Sequence, residues 1–527
     1  MGRPLDIILD LFNEIWDKSL LPYQWSEAIQ IPILKKGKEA SNPSSYRPIS
    51  LTPLLCKLME RLIKNRMNWY IEKNNIITPI QSGFREKRST TDQIIRLETD
   101  INKAMINREY TVVLFLDLQK AYDLVWRQGI VSKIYELGFE GKILCWINAF
   151  LSKRTCQVRV QDHLSIQKNV EIGIMQGSVI SPLLFNFMIN ELEKIQDIVE
   201  ISVFADDICL WFSHRNPSFI KKKLQSAVVL IEEWCKTWGM HISSSKSVAV
   251  AFGRKKDFNF DIRINKEKIP IHKEHKFLGV WFDSKLTWSK HINEIVIKCK
   301  KRLNLLKCIA GTNWGQKFDI LFMVYKGLIR SVLDYGCEAY DGACVTLKKK
   351  LDSIQYQALK IITGAAQQTS LNALQVECHD IPLQARRSMF IDKYNYYLTA
   401  AKETHPTKKI LMPCWQYEII TGKKGEGPFV KRIRTQIDGN IEKQADCIAR
   451  RPFWHYKTPN VAMIIKERIN KKFTSSIESR TYANEIITKK WSHALRIYTD
   501  ASRSQDGRTG SAFYIPKLQV RKKNQIM

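Results

Sequence analysis

The stretch ISVFADDICLWF, residues 201–212, decides how this chain folds. It is apolar on both sides of Asp206 and Asp207, and its flanks are typical of buried strands. Asp is poor in strands and is rarely buried without a partner. One explanation is a hairpin turn, where Asp is common. The other is a site that needs two negative charges where a rigid pair of strands turns.

A second apolar run, VVLFL at 112–116, ends in the same way at Asp117. If the two runs are neighbouring strands of one sheet, the three carboxylates converge and repel each other, which raises their pKa values. A hard cation such as Mg²⁺ removes that cost, since it takes oxygen ligands. Two such ions about 3.5–4 Å apart support phosphoryl transfer. On spacing alone, the turn and the metal site both stay open.

The composition favours a nucleic-acid partner. The chain has 527 residues, with 83 Lys and Arg against 52 Asp and Glu, a net charge of +31. Fourteen Trp and eighteen Tyr accompany that charge. Basic and aromatic surface together indicate nucleic-acid binding, although solvated Lys faces are the simpler alternative. No uncharged run approaches the roughly 18 residues that span a bilayer, and the N-terminus lacks a signal-peptide pattern. We therefore expect an intracellular protein without a membrane partner.

The remaining sequence alternates strand and helix patterns. Residues 54–70 and 217–238 predict long helices, and residues 156–173 predict a hairpin. SPLLFNF predicts a helix with Ser181 as its cap and Pro182 in its first turn. From about residue 290 the chain becomes basic and helical, and a strand pattern returns at 495.

Seven blocks now occur in the order of a known family: SYRPISLTPLLCKLMERLIKNRM, QSGFREKRSTTDQI, FLDLQKAYDLVW, GIMQGSVISPLLFNFMINEL, FADD, SSSKSVAVAF and HKFLGVWFD. Together they resemble the reverse transcriptases of non-LTR (LINE-type) retrotransposons over roughly residues 25–400. The jockey-like and I-like groups are the most similar. FADD alone is weak, whereas seven blocks in order are specific.

The resemblance implies an α+β fold of the right-hand polymerase type, with fingers, a palm built on an antiparallel sheet and a helical thumb. A basic connection region and an incomplete ribonuclease H-like fragment would follow. The implied boundaries are 1–290 for fingers and palm, 291–403 for the thumb, 404–490 for the connection and 491–527 for the ribonuclease H-like start.

The family pattern assigns catalytic roles to four residues. Asp117, Asp206 and Asp207 would hold two Mg²⁺, with Mn²⁺ as a substitute, against a primer 3′-hydroxyl and an incoming deoxynucleoside triphosphate. Lys246 would protonate the leaving pyrophosphate. The family has Asn where this chain has Ser243, which leaves the role of Lys246 open.

Further positions match nucleotide and template contacts. Tyr122 matches the aromatic gate that rejects a 2′-hydroxyl, although a core tyrosine is the simpler alternative. Arg47 would clamp the triphosphate, together with Lys35 or Lys36. The remaining assignments are Gln176 and Gly177 to the nucleotide, Gly83, Phe84 and Arg85 to the template, and Phe277, Leu278 and Gly279 to the primer.

LRIYTDAS, residues 495–502, resembles the first strand of a ribonuclease H domain, with Asp500 as a vestigial metal ligand, and GSAFYIP fits the second strand. The last residues do not continue this pattern, and one Asp cannot assemble a two-metal site. We expect no ribonuclease H activity. The length upstream of residue 25 leads us to expect a truncated copy without an endonuclease.

The leading hypothesis is an RNA-directed DNA polymerase that uses an RNA template, a DNA primer or target DNA, and deoxynucleoside triphosphates. A decayed element that binds nucleic acid without catalysis is the alternative. A group II intron maturase or a telomerase-like enzyme would share the palm, but the ribonuclease H fragment disfavours both.

Overall fold

The computed structural model describes residues 3–253, 261–311 and 315–416, and three strands between residues 498 and 526. The chain divides into two compact units, Met1–Cys447 and Ile448–Met527. We describe each unit by itself.

The described helices of the first unit are α1 Arg3–Lys18, α2 Tyr23–Ser26, α3 Leu54–Asn74, α4 Thr90–Ile106, α5 Ala121–Leu124, α6 Arg127–Glu136, α7 Lys142–Leu151, α8 Ser181–Ile189, α9 Pro217–Trp238, α10 Ser289–Ala310, α11 Phe318–Tyr325, α12 Ser331–Asp334, α13 Cys337–Tyr340, α14 Val345–Thr363, α15 Leu371–Glu377, α16 Leu383–Ala400 and α17 Pro406–Gln416. Short 3₁₀ segments lie at Pro43–Ser45 and Asn190–Asp197, and a π-turn lies at Lys326–Arg330.

The described strands of the first unit are β1 Glu27–Leu34, β2 Tyr46–Leu51, β3 Tyr110–Asp117, β4 Arg154–Val160, β5 His163–Leu164, β6 Lys168–Val170, β7 Glu200–Phe204, β8 Asp207–His214, β9 Val248–Phe252, β10 Arg263–Ile264, β11 Glu267–Lys268, β12 Ile271–His272, β13 Glu274–Phe277 and β14 Val280–Asp283.

A five-stranded sheet of order β12-β9-β3-β8-β7 forms the centre of the first unit. Its central strand β3 pairs antiparallel with both β8 and β9. Both apolar runs that end in acids lie in this sheet, but they are not neighbours: β8, the strand that follows Asp206, lies between β3 and β7. Asp117 and Asp207 lie at the same end of β3 and β8, because they are directly opposite in the register of these two strands.

Both faces of this sheet are covered, which explains why β3 is apolar without alternation. Val112, Leu114 and Leu116 enter one hydrophobic core, together with α3, α8 and α9. Val113 and Phe115 enter a second core, with α4, β13, β14 and the helices after residue 289. Successive side chains of a strand point to opposite faces, so one run supplies both cores.

A second sheet has the order β2-β1-β4-β5, and β6 pairs with β4. β1 is antiparallel to β2 and parallel to β4. The predicted hairpin at 156–173 is confirmed, since β5 and β6 both return antiparallel against β4.

The cap predicted for α8 is wrong. Ser181 is the first helical residue rather than the cap, and Ile180 at the N-cap makes no side-chain cap. Instead, the Ser178 hydroxyl accepts the backbone N–H groups of Ile180 and Ser181, each at 3.3 Å. A serine three residues earlier thus satisfies the orphan donors of the helix start.

The region after residue 289 is helical, and α10 ends before Gly311 as predicted. Residues predicted to begin the connection at 404 continue as helix in α17, where the Thr407 hydroxyl donates to the Asp92 carbonyl oxygen at 3.1 Å. The rest of the predicted connection, from 417 to 490, lies outside the described residues. Within the described ranges, no helix is long and apolar enough to cross a membrane.

The second unit contains an antiparallel sheet of β15 Tyr498–Arg503, β16 Thr509–Ile515 and β17 Val520–Ile526. The two predicted strands are confirmed. The last residues form a third strand, β17, which pairs with β16 along its whole length; whether they continue a ribonuclease H pattern stays a prediction.

Candidate active site

Three acids lie at the same end of the neighbouring strands β3 and β8, close enough to influence each other electrostatically. Asp117 is the last residue of β3, Asp207 is the first of β8, and Asp206 lies in the turn between Phe204 and Asp207. The two alternatives, a turn and an acid cluster, therefore coexist: the hairpin turn carries Asp206 and leads into Asp207, and Asp117 lies opposite on β3.

The acids influence each other electrostatically. Burial, followed by the charges of Asp206 and Asp117, raises the pKa of Asp207 to about 6. Burial first, and then the charge of Asp117, raise the pKa of Asp206, while Arg47 acts in the opposite direction. Like charges in a partly desolvated site favour the protonated form, or a bound cation.

The donor chemistry of this cluster fits a divalent metal. All three side chains offer carboxylate oxygens, the donor type that Mg²⁺ prefers. In the part of the chain that the structure describes, no group of three or more His, Cys, Asp or Glu side chains is already drawn together as a metal site. Here the Lys246 ammonium instead contacts Asp117, with its Nζ 3.1 Å from Oδ2. A cation thus already offsets part of the negative charge.

The loop before β9 holds the backbone of Asp117. The Ser243 N–H donates to the Asp117 carbonyl oxygen at 2.9 Å, and the Asp117 N–H donates to the Ser247 hydroxyl at 3.2 Å. The Ser247 hydroxyl in turn donates to the Ser243 carbonyl oxygen at 2.7 Å. The chain keeps this loop on Asp117 through backbone groups, although Ser243 replaces the Asn of the family pattern.

Tyr122 lies beside the acids. Its ring stacks on Phe185 of α8, with centroids 5.0 Å apart. Its buried hydroxyl has no hydrogen-bond partner within the described ranges. Burial, and then the charge of Asp206, raise the pKa of this hydroxyl well above its ordinary value. A rigid aromatic face next to Asp206 fits the predicted gate, which stays a prediction.

The Gln176–Gly177 loop is fixed against β2 and α5. Ser50 donates its N–H to the Gln176 carbonyl oxygen at 2.6 Å, and the Gln176 amide donates to Asp123 Oδ1 at 3.1 Å. Gly177 has φ +111°, and a Cβ there would lie 2.6 Å from the Ser50 carbonyl oxygen. Only glycine suits both that conformation and that approach.

Sequence reasoning missed Glu60 of α3, which organises the same loop. Its fully buried carboxylate accepts the Val179 N–H at 2.7 Å, the Ile180 N–H at 3.1 Å and the Ser178 hydroxyl. A usable signal was present: Glu60 falls among Met59, Ile63 and Met67 on the buried face of α3. A carboxylate on an apolar face has a specific partner.

The predicted phosphate-binding cations lie around β1 and β2. Arg47 of β2 is exposed and close enough to affect the pKa of Asp206. Lys35 instead donates to the Ser44 carbonyl oxygen at 3.0 Å, which ties it to its own loop. Lys36 is exposed and lies near Lys298 of α10, whose pKa it helps to lower.

The residues predicted to contact the template divide into two kinds. Phe84 is 49% exposed and has φ +61°. Arg85 is occupied: its guanidinium forms a two-point ion pair with Glu72 at 2.9 Å and donates to three carbonyl oxygens. Gly83 packs directly against the turn, since a Cβ on it would lie 2.4 Å from the Ala205 nitrogen.

The predicted primer-contacting residues form the β13–β14 hairpin. Phe277 is buried and pairs with Val280, with Leu278 and Gly279 as the turn. The Phe277 ring lies 5.4 Å from that of Phe115 on β3. This hairpin thus packs on the face of the sheet that forms the second core. Asp500 lies on β15 of the other unit, opposite Ala512.

Sequence comparison defines the class. Residues 33–282, which hold the three carboxylates, match the family described as reverse transcriptase (RNA-dependent DNA polymerase). This part of the chain therefore belongs to the reverse transcriptase family.

The relatives extend the match beyond that domain. The chain is 30% identical over 370 residues to the RNA-directed DNA polymerase from mobile element jockey of Drosophila melanogaster, covering 69% of this chain and 40% of the relative. It is 31% identical over 358 residues to the probable RNA-directed DNA polymerase from transposon X-element of the same fly, covering 67% and 39%. The predicted resemblance to jockey-like non-LTR polymerases is confirmed, and the chain spans about 40% of these relatives' length.

Among solved structures, telomerase from Candida tropicalis in complex with a fragment of telomeric RNA matches 79% of this chain and 66% of its own. The identity is 13% and the TM-score 0.39. The family assignment rests on the sequence matches alone.

Proposed function

We propose that this protein is an RNA-directed DNA polymerase of the non-LTR retrotransposon type, which extends a primer by copying RNA into DNA. One observation carries the proposal. Asp117, Asp206 and Asp207 lie at the same end of two neighbouring strands, inside a region that matches the reverse transcriptase family. Nucleotidyl transfer is the chemistry that carboxylates in such a position support.

Each proposed site residue would either balance the charge of a reacting group or hold a substrate in position. Two Mg²⁺ ions held by Asp117, Asp206 and Asp207 would supply activation of the primer hydroxyl and stabilisation of the leaving oxygen. Arg47 would bind the triphosphate, since a planar guanidinium suits bidentate phosphate contacts. Tyr122 would exclude the 2′-hydroxyl, Gln176 and Gly177 would line the nucleotide, and Lys246 would move from Asp117 to protonate pyrophosphate.

The proposed macromolecular partners are an RNA template and a DNA primer or target DNA, bound inside the cell. Gly83, Phe84 and Arg85 would border the template, with Phe84 as the exposed contact and Arg85 as its support. Phe277, Leu278 and Gly279 would border the primer. The basic α10 would follow the duplex backbone, where contacts supply affinity without reading sequence.

The proposed domain division keeps fingers and palm at 1–290, the thumb at 291–403, the connection at 404–490 and a ribonuclease H-like segment at 491–527. The division at 290 is supported by the start of α10 at Ser289, and the last segment by three antiparallel strands with Asp500 in the first.

A primer-extension assay tests the proposal. Purified protein, an RNA template with an annealed DNA primer, the four deoxynucleoside triphosphates and Mg²⁺ should give full-length DNA. Asp117→Asn should abolish extension, while Asp162→Asn, an exposed acid in the β4–β5 turn, should leave it unchanged. Extension that survives Asp117→Asn would reject the assigned site.

One observation favours the second candidate, a protein that binds nucleic acid without catalysis. Lys246 already neutralises Asp117, as a cation would in a site that no longer takes metal. Salt-dependent binding of the primer–template with no extension at any Mg²⁺ or Mn²⁺ concentration would select that candidate.

A further inference from the structure

We propose that Gln81 and Asn186 are positioning residues that fix the Ala205–Asp206 turn, and through it the two acids, in place for metal binding. The inference rests on the proposed polymerase function. Neither residue touches the acids, and neither falls among the residues that the sequence assigns to the site.

The two amides form one buried junction among three segments. Gln81 is 0% exposed, and its Nε2 donates to Asn186 Oδ1 at 3.0 Å. Gln81 Oε1 accepts the Gly83 N–H at 2.7 Å and the Ala205 N–H at 3.3 Å. Asn186, also 0% exposed, donates its Nδ2 to the Gly83 carbonyl oxygen at 3.0 Å. The junction therefore ties α8 and the loop at 81–83 to the residue before Asp206.

The backbone reinforces this junction. Ser82 donates its N–H to the Val203 carbonyl oxygen at 3.0 Å, and Val203 donates to the Ile80 carbonyl oxygen at 3.1 Å. Gln81 and Val203 form a parallel bridge, so this loop extends the edge of the sheet beyond β7. Gly83 then lies against Ala205 with no room for a side chain. The loop thus supports the hairpin along its length and at its turn.

The turn needs such support because its conformation is unfavourable for its sequence. Ala205 has φ +59°, a region that L residues avoid and glycine tolerates. Such strain persists where surrounding contacts over-determine the backbone. The bond from Ala205 to Gln81 is one of those contacts. Asp206 follows directly, so movement of Ala205 displaces a carboxylate.

Amide side chains suit this position better than charged ones. Each carries both a donor and an acceptor, so the pair satisfies two backbone N–H groups and one carbonyl without adding charge next to three acids. A buried amide elsewhere in the core also needs several partners, as Gln355 has. Here the contacts converge instead on Gly83 and Ala205, beside the catalytic turn.

The test compares Gln81→Met with Gln355→Met. Met has similar length without amide groups, so Gln81→Met leaves the Ala205 and Gly83 N–H groups unpaired. Gln355 of α14 is a matched control: it is also 0% exposed and donates to Asp380 Oδ2 at 2.9 Å and to the Ile381 carbonyl oxygen at 3.0 Å. Both variants should lower Tm.

Only Gln81→Met should alter metal dependence. We expect kcat for primer extension to fall by roughly tenfold or more, because small displacements of reacting groups are costly. The Mg²⁺ concentration for half-maximal extension should rise severalfold, and the Kd for primer–template should stay within about twofold. Mn²⁺ binding followed by electron paramagnetic resonance should weaken in parallel, which gives a readout independent of activity.

Gln81→Asn is a milder second variant. It keeps an amide but is one methylene shorter, so it cannot bridge from Asn186 to the Ala205 N–H. We expect a smaller fall in Tm than in Gln81→Met, with Mg²⁺ and Mn²⁺ dependence still altered. This variant also keeps the test valid if Gln81→Met does not fold.

Wild-type Mg²⁺ and Mn²⁺ dependence in either Gln81 variant would overturn the inference. The same holds if Gln355→Met shifts metal dependence equally. Failure of the wild-type protein to extend any primer would instead reject the proposed polymerase function. Mn²⁺ binding would still decide the positioning function in that case.

Discussion

Two hairpins adjoin β3: the β7–β8 hairpin pairs with it inside the sheet, whereas the β13–β14 hairpin packs on one face of that sheet. Both have positive φ angles in their turns. The β7–β8 hairpin turns at Ala205 and Asp206, and the β13–β14 hairpin turns at Leu278 and Gly279. Ala205 has φ +59°, and Leu278 and Gly279 have φ +45° and +88°. Two-residue hairpin turns need such positive φ angles, and Ala205 and Leu278 adopt them here although neither is a glycine.

The difference between the hairpins lies in what holds each turn. Gln81 accepts the Ala205 N–H at 3.3 Å, whereas the Tyr335 hydroxyl donates to the Leu278 carbonyl oxygen at 2.6 Å. One turn presents carboxylates and is supported from inside by buried amides. The other presents an apolar residue and is supported from a helical region. The backbone of a tight hairpin therefore sets no chemistry by itself. The residues in the turn and the side chains packed around it do.

The largest expected effect comes from removing the negative charge of the acid in the β7–β8 turn. Asp206→Asn should reduce kcat by at least about 10³-fold, because the proposed metal coordination would supply several kcal/mol of transition-state stabilisation. Leu278→Ala in the other turn should change kcat less than tenfold. Single-turnover primer extension at saturating substrate measures both. Equal losses would show that the hairpins share one function.

Gly83→Ala should have the next largest effect. The added Cβ would lie 2.4 Å from the Ala205 nitrogen, so the loop or the turn has to move. We expect kcat to fall by about 10²-fold. Gly239→Ala is the control: its φ is +68°, and no described atom lies within 4 Å of the new Cβ. That change should cost about 1–2 kcal/mol of stability with kcat unchanged.

Tyr122→Ala tests what surrounds the acidic turn. Removing the ring should lower the preference for deoxyribonucleotides over ribonucleotides by about 10- to 100-fold, measured as a ratio of kcat/KM values. Tyr122→Phe should keep the preference, because the hydroxyl has no partner within the described ranges. Loss of selectivity in the Phe variant would contradict a purely steric gate.

Tyr335→Phe tests the apolar turn. It removes the hydrogen bond to the Leu278 carbonyl oxygen and should lower the free energy of unfolding by about 1 kcal/mol. Urea denaturation measures this. KM for primer–template should rise by a few fold with kcat retained. A large fall in kcat would instead place this turn at the reacting atoms.

The pH dependence of the free energy of unfolding tests the contact between β8 and α4 rather than either turn. Trp211 Nε1 donates to Asp100 Oδ2 at 2.9 Å, and burial raises the pKa of Asp100 to about 6. The folded state holds this proton more tightly than the unfolded chain, whose Asp pKa is about 3.9. The contribution of Asp100 to stability should therefore fall as pH rises from about 4 to 6 and stay constant above that range.

Asp100→Asn should remove this dependence and keep an acceptor for Trp211. The difference in unfolding free energy between variant and wild type should grow in favour of the variant from pH 4 to pH 6.5. A difference that does not change with pH would contradict the raised pKa.

Much of the fold was predictable because hydrophobic pattern determines where strands and helices form. The runs before Asp117 and Asp206 form strands, and Pro217–Trp238 and the basic segment before Gly311 form helices, as predicted. Local cap chemistry was less predictable: Ser178 rather than Ser181 serves α8. Two serines near a helix start look equivalent until the turn geometry selects one.

The apolar runs around Asp117, Asp206 and Asp207 were readable from the sequence alone, and the ordered blocks indicated their family. Folding, by contrast, selects the buried polar side chains that bind the backbone beside Asp206 and the loop after Gly177. Glu60, Gln81 and Asn186 are distant in sequence from the groups that they bind, and their importance comes from burial and from long-range partners. A local pattern records what one segment prefers, whereas a buried hydrogen bond between segments exists only once the chain has packed.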